Sequence, residues 1–178
     1  PSSYSFQWIK SVFLKTEYAL SFWLSIKVAV FCTAVSLIIG ILAALGLTRF
    51  KFRSVDLLKT FFLSPLTLPA VIVGIALLRF SIILGWVGDN KSLLLAHIML
   101  ATAYVIRMVL SSLVGFDLSL EEAARDLGAS QFYTFRKITF PIIKPGIVVA
   151  GLFAFIVSMD ETTISRFIVR GGNITLPV

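Results

Sequence analysis

An all-α, polytopic membrane bundle with a capped polar double helix on one side is the fold this sequence predicts, and three observations predict it. Hydrophobic residues fill 58% of the 178 positions and the mean hydropathy is +0.97, against roughly 45–50% apolar in a soluble domain. Charged residues are only 14%, and runs long enough to cross hydrocarbon recur along the chain. Between the last two runs lies SLEEAARDLGASQFYTFRKITFPIIKP, Ser119 to Pro145, which is polar and carries helix-start and helix-stop signals. Backbone in lipid must satisfy its own polar groups, so runs of this length read as helices.

The same composition excludes other classes. One cysteine, Cys32, and one histidine, His97, leave no disulfide framework and speak against a zinc site built from the chain alone. The formal charge of +7 is not gathered into a basic block. Lys and Arg sit mostly at the ends of apolar runs, as membrane topology requires, so no nucleic-acid partner is expected. The chain opens at Pro1-Ser2-Ser3 and stops after a Gly-Gly turn at Thr175-Leu176-Pro177-Val178. Both ends read as cut.

Taken in order, Pro1–Tyr18 mixes Phe6, Trp8, Ile9, Val12 and Phe13 with polar residues, which fits a short interfacial helix anchored by Trp8. The first span is expected at about 22–47, with Trp23 at headgroup level and Lys27 near enough to one end to snorkel. Thr48–Asp56 is a turn carrying Arg49, Lys51 and Arg53, and the second span follows at about 57–86. Pro65 and Pro69 should kink it, since each lacks an N–H and crowds the preceding turn. After the turn Gly85–Lys91 comes a third span at about 93–114, containing Arg107. The polar loop 115–141 leads through Pro141 and Pro145 into a fourth span at about 142–161. Together these form one transmembrane domain.

Four crossings put both ends on one side and the turn 48–59 with the loop on the other. The loop side holds eight cations (Arg49, Lys51, Arg53, Lys59, Arg125, Arg136, Lys137, Lys144) and the opposite side five (Lys10, Lys15, Lys91, Arg166, Arg170). That bias places the loop in the cytoplasm.

Within the loop, Ser119 and Glu122 are spaced as a capping box. Leu120, Ala123, Ala124 and Leu127 form one apolar stripe, leaving Glu121, Glu122, Arg125 and Asp126 on the polar face. Gly128 stands where a helix ends in a left-handed residue. Ser130 caps a second helix in which Phe132, Phe135 and Ile138 share a face, and Pro141 should stop it. The two alanines keep the first helix thin, so another surface can come close. Taken alone, the pattern also fits an amphipathic helix resting on headgroups.

Glu122-Ala123-Ala124, three residues, Gly128, nine residues, Ile138, one residue, then Phe140-Pro141 resembles the EAA loop of ABC-importer permeases, with Phe140 in place of the usual Leu. Phe6 and Trp8, and Ser158-Met159-Asp160-Glu161, are similar to segments of the spermidine/putrescine-type subgroup; permeases for ferric iron, thiamine and phosphonates carry related sequences. The resemblance implies a bacterial inner-membrane permease of six spans, of which the first and last are expected to lie outside this sequence. It implies a coupling helix docking on a cytoplasmic ABC ATPase dimer through Glu121, Glu122, Ala123, Ala124, Gly128, Ile138 and Pro141. It also implies a second permease subunit and an extracytoplasmic solute-binding protein. ATP and magnesium fall to the ATPase, so no cofactor or metal is expected on this chain, nor catalysis by it. A non-transporting scaffold that recruits a soluble partner is the rival class.

Asp160 and Glu161 are the acidic residues on or beside a span. A carboxylate at mid-bilayer costs at least about 2.5–3.5 kcal/mol, so an acidic pair there marks a watered path. Such a pair would hold the ammonium groups of a polyamine. The alternative is a solvated outer helix end, or pairing with Arg166. Tyr104 is a candidate for the same path or for packing. Arg79 and Arg107 lie within snorkelling reach of span ends, a gating ion pair being the other reading, and His97 is expected in a helix–helix hydrogen bond.

Overall fold

A computed structural model describes residues 16–50 and 53–168, with side chains from residue 19 onward. The described residues are helical, without strands: α1 (Thr16–Arg49), α2 (Val55–Leu63), a 3₁₀ turn (Ser64–Leu66), α3 (Ala70–Leu84), α4 (Asn90–Leu113), α5 (Ser119–Asp126), α6 (Gln131–Thr134), a π turn (Phe135–Thr139), α7 (Phe140–Asp160) and α8 (Thr163–Ile168). The interfacial helix expected before Thr16 and the tail beyond Ile168 lie outside the described residues.

α1 is longer than the span expected from hydropathy. Its 34 residues cover about 51 Å, because apolarity marks the bilayer while the hydrogen-bonded column continues until something breaks it. One face is made of small residues a turn apart, Cys32, Ser36, Gly40 and Ala44, all buried. Lipid tails are as apolar as leucine, so tight backbone approach and interhelical hydrogen bonds, not hydrophobicity, join helices in a membrane. Here the partner is α4. Cys32 Sγ donates to the Leu94 carbonyl (3.8 Å) and Ser36 Oγ to the Ile98 carbonyl (3.2 Å), each 62 residues on. The constant offset means that α1 and α4 run parallel.

Parallel neighbours require the intervening chain to cross back. The second span does so in two pieces, which corrects the expected single kinked helix: the segments Val55–Leu66 and Ala70–Ile83 meet at 100°. Pro65 and Pro69 explain the break. Two missing N–H groups four residues apart leave one short turn between them, closed by a 3₁₀-type bond from Thr67 and an α-type bond from Leu68 to the same Ser64 carbonyl (3.0 and 3.1 Å), and Pro69 is extended (φ −56, ψ 132). α7 then returns antiparallel to α4. Ala150 and Ala154 share a buried cluster with Ala101, Val105, Val109 and Ala44, and Ser158 meets His97 near the far end. α8 folds back on α3, where the Phe167 ring lies over Gly74 and Ile164 and Ile168 pack with Val73, Leu77, Ala96 and Leu100. With the bent pair as one span the described residues hold four helices or helix pairs long and apolar enough to cross a membrane, and the end of α1 meets the loop between α4 and α7.

Among the glycines of α1 the tight approach is at Gly40, where an added Cβ would stand 2.5 Å from Val105 Cγ1 and 2.8 Å from its Cβ. A β-branched side chain has little freedom to yield. Gly40→Ala is expected to cost about 1–3 kcal/mol by overpacking, and Val105→Ala in the same chain to restore most of it. Thermal unfolding of the purified protein in detergent checks both; an unshifted single variant contradicts the packing.

Candidate functional site

The polar loop is held by local chemistry at three points. At its start the N–H of Ser119 donates to Asp117 Oδ1 (2.9 Å), which holds the Asp117 carboxyl below its ordinary range. The expected capping box is therefore corrected. Ser119 is already helical, Leu118 occupies the N-cap position without a side-chain bond, and Glu122 is exposed. Asp117 wins because its ionised oxygen is the stronger acceptor at a helix N-terminus. At the far end of α5, Gly128 is left-handed (φ 85). Its N–H reaches the Arg125 carbonyl (2.9 Å) and that of Ala129 the Ala124 carbonyl (3.0 Å), the paired bonds of a Schellman ending. Ser130 Oγ then accepts from the Tyr133 N–H (3.3 Å), so it caps α6 as its position predicts.

Pro141 does not stop the helix. The backbone widens into the π turn, where the Phe140 N–H bonds to the Phe135 carbonyl, and helix continues from Gln131 to Asp160. A proline in the first turn of α7 sacrifices no bond that the wider turn needs.

The loop carries apolar side chains outward. Leu120, Leu127, Phe132 and Tyr133 are exposed, Leu127 to 89%. A shallow depression of about 570 Å³ is lined by Ala124, Leu127, Gly128, Ala129, Ser130 and Tyr133. Glu122, Ala123 and Pro141 are exposed, while Ala124 and Ile138 are half-buried. Phe135 is half-buried against Phe140 (6.1 Å between ring centroids), so the expected Phe132–Phe135–Ile138 face divides between outside and inside.

Glu121 is the largest departure. Its expected outward face is wrong: the residue is 4% exposed. Arg49, in the last turn of α1, grips it with both guanidinium nitrogens, Nη1 to Oε2 at 2.7 Å and Nη2 to Oε1. The Thr139 hydroxyl donates to the same Oε1 and accepts from Arg49 Nη2 (3.4 Å). This clamp ties α1, α5 and the π turn together. Neither Arg49 nor Thr139 is legible as a site residue in the sequence. The available signal was an arginine closing a span beside a loop with two adjacent glutamates.

Toward the other end of the bundle, Asp160 closes α7 with its side chain exposed. Glu161 is half-buried and Oε1 accepts from the Ile164 N–H (2.6 Å), so its carboxylate is spent starting α8. Tyr104 stacks on Phe153 (6.5 Å, 27°). Phe153 lies seven residues before Asp160, about 10 Å along α7, so Tyr104 and Asp160 do not share one contact. Arg79 and Arg107 are exposed, and the ion pairs among the described residues (Arg49–Glu121, Lys59–Asp56, Lys91–Asp89) include neither. His97 is buried between Ser158 and Ser165, the helix–helix bond expected of it.

Residues 36–178 match the family described as binding-protein-dependent transport system inner membrane component. The chain is similar to the putrescine transport system permease protein PotI of Escherichia coli (strain K12), 38% identical over 87% of this chain and 58% of the relative. It is also similar to the spermidine/putrescine transport system permease protein PotC of the same strain, 34% identical over 86% and 58%. The molybdenum transport system permease protein ModB of that strain is 34% identical over 78% and 66%. Among solved structures, a bacterial ABC transporter involved in the import of the acidic polysaccharide alginate shares the fold, with a TM-score of 0.63 at 18% identity over 99% of this chain and 61% of that one. The chain thus spans 58% of the length of the two polyamine relatives.

The clamp makes a measurable claim. Glu121→Ala leaves a guanidinium without its carboxylate and is expected to cost about 1.5–3 kcal/mol, the range for bonds to charged groups. Hydrogen exchange over residues 119–139 should speed up. The exchanged pair Arg49→Glu with Glu121→Arg should slow it again, and equal exchange in all three proteins would show that the clamp holds nothing.

Proposed function

The chain belongs to the binding-protein-dependent transport inner membrane components, and from that premise we propose that it is one permease subunit of a bacterial ATP-driven importer for a polyamine. The observation that carries the reading is the loop: a thin helix, a left-handed glycine and exposed aromatics, presented on a clamped base. Such a surface suits a groove in a soluble partner. The partner is a cytoplasmic ABC ATPase dimer, which binds and hydrolyses ATP with magnesium. A second permease completes the path, and an extracytoplasmic binding protein delivers the cargo. The cation bias toward the loop end supports a cytoplasmic loop in the inner membrane.

In this mechanism the ATPase grips Glu122, Ala123, Ala124 and the Gly128 turn. Ile138 and Pro141 belong to the helical stem below that surface, and Glu121 acts from inside, through Arg49. Closure of the ATPase dimer pulls the loop, and the clamp passes the displacement to α1 and α7 as one body. The spans then alternate between inward- and outward-open states. Among the described residues, Asp160 is the free carboxylate near the opposite end, positioned to take an ammonium group by a charge-assisted hydrogen bond. Glu161 contributes to that end by holding α8, and Tyr104 offers an aromatic face two turns deeper. Family likeness alone does not choose the cargo, since a molybdenum permease is also similar. The negative charge of Asp160 favours a cation.

Gly128→Val should abolish ATPase docking. The φ of 85 is costly for a β-branched residue even though a Cβ there would meet open space, so undiminished pull-down of the ATPase would count against the loop. Radiolabelled putrescine uptake by the assembled transporter in vesicles tests the cargo. Asp160→Asn is expected to lower uptake about tenfold, the size of one charge-assisted bond. Identical kinetics would remove Asp160 from the path.

A further inference from the structure

We propose that His97 is a positioning residue for cation recognition: through two serine hydroxyls it fixes the elbow between α7 and α8 from which Asp160 emerges. The inference rests on the reading of Asp160 as the cargo contact. Three buried side chains form the hub: His97 on α4, Ser158 on α7 and Ser165 on α8, exposed to 2%, 5% and 0%. His97 Nδ1 lies 2.8 Å from Ser158 Oγ and Nε2 lies 3.1 Å from Ser165 Oγ.

The bonding is directional. Ser165 Oγ donates its hydrogen to the Glu161 carbonyl (3.0 Å), so towards His97 it can only accept. The imidazole proton therefore sits on Nε2, and Nδ1 accepts from Ser158. One ring in one tautomer satisfies both hydroxyls and joins three helices, with a relay that ends on the backbone of the elbow itself.

The remaining packing that holds the elbow is apolar, chiefly α8 against α3 through Phe167 over Gly74 and Ile164 and Ile168 beside Val73 and Leu77. Glu161 leaves the helix with extended geometry (φ −69, ψ 102). The other contacts of α8 with α4 are apolar, Ile164 and Ile168 against Ala96 and Leu100. Apolar contacts tolerate sliding, whereas two hydrogen bonds set a bearing. Glu161 spends its carboxylate on the Ile164 N–H, which leaves Asp160 as the acidic side chain that the elbow presents. The hub lies behind Asp160 and does not itself touch cargo.

The test uses the assembled transporter in proteoliposomes. His97→Phe keeps the volume, and Ser158 can satisfy itself on its own helix, so assembly and basal ATP hydrolysis should stay within about twofold, while putrescine imported per ATP hydrolysed falls about tenfold. His97→Gln, which retains a donor, should recover most of the loss. If His97→Phe does not assemble, Ser165→Ala carries the same expectation. A second arm needs no cargo: an Asp160→Cys variant is labelled with a cationic methanethiosulfonate, with and without His97→Phe. The only other thiol of the chain, Cys32, is fully buried. A labelling rate changed at least severalfold supports the hub, and an unchanged rate overturns it. If uptake and ATP hydrolysis fall in parallel, without rescue by glutamine, the hub is merely structural and the proposal fails. If the unsubstituted transporter ignores putrescine, the cargo reading falls, and the labelling arm still decides the positioning role.

Discussion

Glu121 is taken out of water where α1, α5 and the π turn meet, and a carboxylate there persists only if its lone pairs are occupied. Arg49 occupies both oxygens and Thr139 adds a hydroxyl to one of them. Two charges about 4 Å apart attract by about 4 kcal/mol at an effective dielectric near 20, and removing them from solvent costs several kcal/mol per ion. The attraction does not exceed that summed cost. The clamp therefore contributes orientation more than stability: a bidentate fork admits one arrangement of three segments, and the loop inherits its pose from that arrangement.

The rest of the bundle makes the pose transmissible. α1 and α4 lie in fixed parallel register through Cys32, Ser36 and Gly40, and α7 packs its alanines into the same seam. Small residues bring backbones together where a mismatch of a few tenths of an ångström is already felt. Large apolar side chains such as Phe31, Ile38, Leu42, Leu152 and Ile156 point outward, where they face lipid or a neighbouring chain. Helices joined this way move together or not at all.

Much of this was legible in the residues. Apolar runs gave the long helices, Gly128 gave the left-handed turn and Ser130 the second cap, because each depends on neighbours within one helical turn. What failed depended on distant partners or on close competitors. Helical phase makes Glu121 and Glu122 equally polar; which turns inward is decided by Arg49, 72 residues away in sequence. Asp117 and Ser119 are both good caps, two positions apart, and local pattern does not rank them. The prolines at 65 and 69 announce a kink, but the 100° bend needs both of them acting across one short turn. Pro141 reads as a stop unless a wider turn takes up the lost donor. The clamp and the His97 hub are assembled from separate helices, so neither leaves a contiguous signature.

The π turn at Phe135–Thr139 has a consequence for azimuth. Each residue of an α-helix advances its side chain by about 100° around the axis, so one additional residue in a widened turn offsets everything before it by about that angle relative to everything after. Phe132 and Tyr133 are therefore aimed by the width of this single turn as much as by their own positions. Were it to relax into ordinary α geometry, the head of the loop would swivel by more than a quarter of a revolution while the column beneath stayed where it is.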